Sequence, residues 1–92
     1  MKTLEEKIRE QRNKLKKCPE SDCGKYLSNI AILLLESNPV KSKKYSETAL
    51  ENAVKFKDKL GQAICLQLIG LSYYYQTNFL KGLEYLNKAL LL

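Results

Sequence analysis

The side chains that could do chemistry are few: Cys18, Cys23 and Cys65, two aspartates, Asp22 and Asp58, and the glutamates, with no histidine anywhere in 92 residues. Without histidine no cysteine has its usual general base, so nucleophilic catalysis lacks a partner group. Cys18 and Cys23 have four residues between them and no second pair, so a tetrahedral zinc site would be short of ligands. No glycine-rich phosphate loop is present. The expectation is no catalytic residue, no metal site and no cofactor. Three cysteines, an odd number, in a chain without a signal-peptide apolar region at its start indicate free thiols in a reducing, cytoplasmic setting. Cys65, amid apolar residues in mid-helix, reads as inert.

The elements that position these groups belong to one small domain. With 45% apolar and 28% charged residues the chain has enough to bury a single core and is no disordered segment. Sixteen Lys and Arg against ten Asp and Glu give a net charge of +6. Only Arg9 and Arg12 carry a planar fork, and the lysine groups 14, 16, 17; 41, 43, 44; and 55, 57, 59 lack an evident aromatic platform, so nucleic acid is not the expected partner. Lys43 with Glu47 and Glu51 with Lys55 have the spacing of surface ion pairs. No charge occurs from Leu60 through Leu80, a span long enough for a bilayer. Gln62, Gln67, Ser72, Gln76, Thr77 and Asn78 within it make a membrane span too costly, so a protein surface is expected to cover it.

Punctuation divides the chain into five helices. Thr3 and Glu6 form a capping box that opens a helix to about Lys17, with Leu4, Ile8 and Leu15 on one side. Pro19 closes it, and Ser21 is the expected N-cap of a second helix to about Ser37. Asn38 and Pro39 open a third to about Lys57. The Asp58-Lys59 turn and Gly61 precede a fourth, which ends near Thr77 and Asn78, and a fifth starts near Phe79. The third helix is expected to bury Tyr45, Ala49, Ala53 and Phe56 and to turn Lys44, Glu47, Glu51 and Lys55 to solvent. The fourth is apolar on two opposite sides, one formed by Ala63, Leu66, Ile69, Gly70 and Tyr73 and the other by Ile64, Leu68, Leu71 and Tyr75, which predicts a helix sandwiched between neighbours.

Self-comparison shows an internal repeat. Tyr45 and Tyr85, and Ala49-Leu50 and Ala89-Leu90, lie 40 residues apart, and Ser42 falls opposite Gly82. Leu27, Ile30, Ala31 and Leu34 match Leu66, Ile69, Gly70 and Tyr73 with a shift of 39. In the second unit Leu66, Ile69, Gly70 and Tyr73, then Phe79, Gly82, Leu86 and Ala89, carry a pattern that resembles the tetratricopeptide repeat family. Small residues at Gly70, Gly82 and Ala89 would let two helix backbones approach closely. The first unit is less similar, with Pro39 opposite Phe79, Ser46 opposite Leu86 and Ala31 for the glycine. The expected fold is all-α, tandem helix-turn-helix repeats of a tetratricopeptide-like α-solenoid with an extra N-terminal helix. Residues 1–19 form that helix, 20–58 the first pair and 59–92 the second. An ordinary helical bundle and another helical repeat of similar length are the alternatives.

The resemblance implies that the first helix of each pair lines a concave surface. It would place Ile64, Gln67, Leu68, Leu71, Tyr74 and Tyr75 there as partner-binding residues, with Ile32 and Leu35 as the first pair's counterparts of Leu71 and Tyr74. A groove of this kind suits the apolar face of a helix or an extended segment. The family's lysine and asparagine clamp for acidic tails is missing, since Ser28, Ile32, Gln67 and Leu71 stand in its region. The expected role is a protein–protein interaction module, with a self-assembling homo-oligomer unit and a peptide-binding sensor as alternatives. Leu90, Leu91 and Leu92 form an apolar ending without a capping repeat, so the second pair reads as truncated, the chain as the N-terminal part of a larger regulatory or scaffolding protein, and the isolated chain as a homo-dimer.

Overall fold

The computed structural model describes residues 1–92 as five helices without a strand: α1 (Leu4–Lys17), α2 (Cys23–Leu34), α3 (Pro39–Lys55), α4 (Lys59–Tyr75) and α5 (Phe79–Leu90). Each helix packs along the next, α2 also touches α4, and α4 lies between α3 and α5 as its two apolar sides require. Contacts such as Gln11 with Asn29, Ala31 with Ser42, Lys43 with Tyr73 and Gly70 with Gly82 show that successive helices run antiparallel. No helix is long and apolar enough to cross a membrane.

Local chemistry fixes the helix starts. Thr3, Asn38, Asp58 and Asn78 are N-caps, their side chains accepting from the amides of Glu6, Lys41, Gly61 and Lys81. Asp58 therefore opens α4, and Gly61 sits inside its first turn instead of preceding it. Ser21 is not the cap of α2: it lies in a 3₁₀ turn, Glu20–Asp22, and no side chain of this segment caps the helix. Asn52 of α3 supplies the missing acceptor, its Oδ1 taking the Gly24 amide at 3.1 Å while its Nδ2 donates to the Glu20 carbonyl at 2.8 Å.

The core is thin and built of small residues. Ile30, Ala31, Leu34, Ala49, Ala53, Cys65, Leu68 and Ile69 form its apolar part, and Ser42, Ser46 and Ser72 are buried beside them. α3 thus buries Ser42 and Ser46, while Tyr45 is half-buried and Phe56 remains 40% exposed, against the expected inner face. The serines fit because each hydroxyl finds a carbonyl: Ser42 donates to Ala31 at 2.7 Å, Ser46 to Ser42 at 2.9 Å and Ser72 to Ile69 at 2.7 Å. No buried side-chain polar atom lacks a partner. Where α4 crosses α5, a Cβ on Gly70 would lie 2.9 Å from the Gly82 carbonyl oxygen, and one on Gly82 2.9 Å from that of Gly70. The expected close approach is therefore present. α1 is peripheral, with no buried residue.

Candidate functional site

Two clefts meet at Ile64. The first, of about 410 Å³, has α2 and the first turns of α4 as walls and Ala49, Asn52 and Ala53 of α3 as floor, with Ile32 and Leu60 on its apolar rim. Three of its polar side chains are engaged in holding the fold. Asp58 caps α4, Asn52 ties down the start of α2, and Asn29 donates to Gln11 at 3.0 Å. Cys65 is buried at its base, 3.7 Å from the Ser28 hydroxyl, and burial pushes its thiol up. These groups leave no activated nucleophile in the cleft. No cluster of three or more histidine, cysteine, aspartate or glutamate side chains could hold a metal ion.

The second cleft, about 390 Å³, runs between α4 and α5 and is lined by Leu60, Ala63, Ile64, Gln67, Leu86, Ala89 and Leu90. Six of these seven are apolar, so it offers burial with Gln67 as a single polar handle. The sequence shifts of 39 and 40 relate it to the first cleft, matching Gly24 with Ala63, Lys25 with Ile64, Ser28 with Gln67 and Ala49 with Ala89. In the first cleft this face receives the start of α4. In the second it faces solvent.

The six expected partner-binding residues do not form one surface. Ile64 (38% exposed) and Gln67 line the second cleft. Leu68, at 6% exposed, belongs to the core. Leu71 is half-buried, and Tyr74 (56% exposed) and Tyr75 (45% exposed) lie toward the other end of α4. There the Tyr74 ring packs edge-on against Tyr75 and Phe79, with centroids 6.0 and 5.1 Å away. Leu60, Ala63, Leu86, Ala89 and Leu90 complete the lining of the second cleft; the shifts of 39 and 40 relate Leu60, Ala63 and Ala89 to Ser21, Gly24 and Ala49 of the first, whereas Leu86 and Leu90 have no counterpart there.

The lysines also differ from their expected pairing. Lys43 leaves Glu47 for the face of Tyr73, 5.0 Å from its centroid, where Lys81 approaches at 5.7 Å, and Lys88 lies 4.5 Å over Tyr85. Lys55 pairs with Glu20 instead of Glu51. Tyr73 and Tyr85 stack on each other at 5.6 Å, so these rings are taken by one another and by ammonium groups. Glu10 lies between Lys2 and Lys14, and its hydrogen bond and attraction to Lys2 hold its carboxyl below the usual range. No family model, curated protein or solved structure matches the chain.

Proposed function

We propose that the chain is a tetratricopeptide-like protein–protein interaction module of the cytoplasm, and that its second cleft seats a helix of a protein partner. The observation that carries this reading is the partial correspondence of the two clefts: the first has the start of α4 as one wall, and its counterpart, lined by apolar side chains, has no helix on that side. α4 shows what such an occupant must offer. Its first turns present Gly61 to α3, where a Cβ would lie 3.3 Å from the Ala53 methyl and closer still to the capping Asp58 carboxylate, and Cys65 to Ser28 of α2 at 3.7 Å. A partner helix with small residues three and seven places after its N-cap therefore meets the same steric demand. Binding by shape and burial also suits a cleft in which six of the seven lining residues are apolar.

A labelled peptide of residues 57–72, which carries this pattern, tests the reading by fluorescence anisotropy. The expected result is saturable binding to the parent, weakened at least about tenfold by Leu60→Lys with Leu90→Lys, because a lysine ammonium in the apolar cleft would be desolvated without a counter-charge. Both positions are largely exposed, so the variants should keep the parent's helical circular dichroism. Absence of saturable binding, or equal binding by the folded variant, would refute the cleft as the site. Self-assembly is the second reading, favoured by the exposed Leu80, Leu83, Leu90, Leu91 and Leu92.

A further inference from the structure

Cys18 closes α1 and is followed, across one short corner, by Cys23 at the first position of α2. Their sulfurs lie 3.2 Å apart. Both residues are half-buried and open to a small reagent, unlike Cys65 in the core. As thiols, Cys18 donates to the Leu15 carbonyl at 3.1 Å and Cys23 to the Pro19 carbonyl at 3.5 Å. Bonded sulfurs sit about 2.05 Å apart, so closure needs a movement of about 1 Å. The corner is held in place from α3, where Asn52 binds both the Glu20 carbonyl and the Gly24 amide and Lys55 pairs with Glu20. The two sulfurs are thus kept in register by contacts that do not involve them.

We infer that Cys18 and Cys23 are a site of reversible disulfide formation, with a small-molecule disulfide such as glutathione disulfide as the oxidant, and that closure staples α1 to α2. A thiolate of the pair attacks one sulfur of glutathione disulfide, forming a mixed disulfide and releasing a glutathione thiolate, which takes up a proton. The other cysteine, deprotonated, attacks the protein sulfur of the mixed disulfide and expels the second glutathione thiolate. Two protein thiols are oxidised, one glutathione disulfide is reduced to two thiols, and the protons balance. Burial, then the hydrogen bond and charge of Cys23, push the Cys18 thiol up, so closure quickens as pH rises. The staple matters because α1 has no buried residue, and its polar ties are those of Gln11 to Asn29 and Arg12 to Tyr45.

The full chain, equilibrated in glutathione buffers of increasing oxidised fraction, quenched with acid, alkylated while denatured and weighed, tests this. The expected result is alkylation of all three cysteines in reducing buffer and of Cys65 alone in oxidising buffer, on a monomeric chain and reversed by dithiothreitol. Oxidation should raise the melting temperature by roughly 5 °C or more. Cys18→Ser and Cys23→Ser should abolish the loop and leave glutathione on the remaining cysteine. Three alkylated cysteines in oxidising buffer, or glutathione retained on both Cys18 and Cys23, would overturn the site. A closed loop without a rise in melting temperature would overturn the staple.

Discussion

At the scale of single residues, the two helix pairs solve one crossing in two ways. In the second pair Gly70 and Gly82 face each other with no room for a Cβ, whereas at the matching place in the first pair Ala31 and Ser42 are joined by a hydrogen bond of 2.7 Å. Gly82→Ala should therefore destabilise the fold by about 1 to 3 kcal/mol, because the added methyl would lie 2.9 Å from a backbone oxygen, which cannot rotate away. Thermal melting followed by circular dichroism measures it, and an unchanged midpoint would mean that the helices are farther apart than described. The glycines were legible in the sequence because a small residue at a fixed place in a repeat has one physical reading. The buried serines were not. Hydropathy counts a hydroxyl as polar, and only the folded backbone shows that Ser42, Ser46 and Ser72 each reach a carbonyl that would otherwise share their burial.

At the scale of helices, the chain is paced by its caps. Asn38, Asp58 and Asn78 are spaced twenty residues apart, and each binds the amide three places on, so the 40-residue spacing of Tyr45 and Tyr85 equals two cap-to-cap steps. Asn38 was readable because Pro39 follows it. α3 and α4 read about two residues too long because their ends lack the glycine that usually marks them. Each instead closes with a left-handed residue, Lys57 (φ 54°) and Thr77 (φ 64°). The amides of Lys57 and Asp58 return to the carbonyls of Val54 and Ala53, and those of Thr77 and Asn78 to Tyr74 and Tyr73. A left-handed conformation costs an ordinary residue about 1 to 2 kcal/mol and is least suited to a β-branched one. Thr77→Gly should then stabilise the protein by about 0.5 to 1 kcal/mol, after part of the relief is offset by glycine's greater freedom when unfolded. A denaturant midpoint that moves upward with unchanged slope is the expected result, and a downward shift would contradict the strain at this turn.

At the scale of the molecule, surface decides how the fold meets others. A compact chain of 10.6 kDa exposes roughly 5,500 Å², and this one exposes 6235 Å². The excess is close to the roughly 800 Å² that each partner contributes to a standard interface. Leu60, Ile64 and Leu90 expose apolar area together in the second cleft, whereas Leu68 is buried and Leu71 half-buried. A helical projection places these residues without knowledge of the neighbours, and α4 touches α2 as well as α3 and α5. If this area is self-complementary, the purified chain should form a dimer at tens of micromolar, read by light scattering behind gel filtration across a wide dilution series. Leu90→Lys should return it to monomer without loss of helix, since Leu90 is 83% exposed and contributes little to the core. A lysine there would carry its charge into the apolar centre of the interface, where no acidic side chain lines the cleft to meet it. A parent that stays monomeric at every concentration and still binds the 57–72 peptide would eliminate the self-assembly reading and leave the cleft to a foreign helix. A dimer that survives Leu90→Lys would place the self-association elsewhere on the surface.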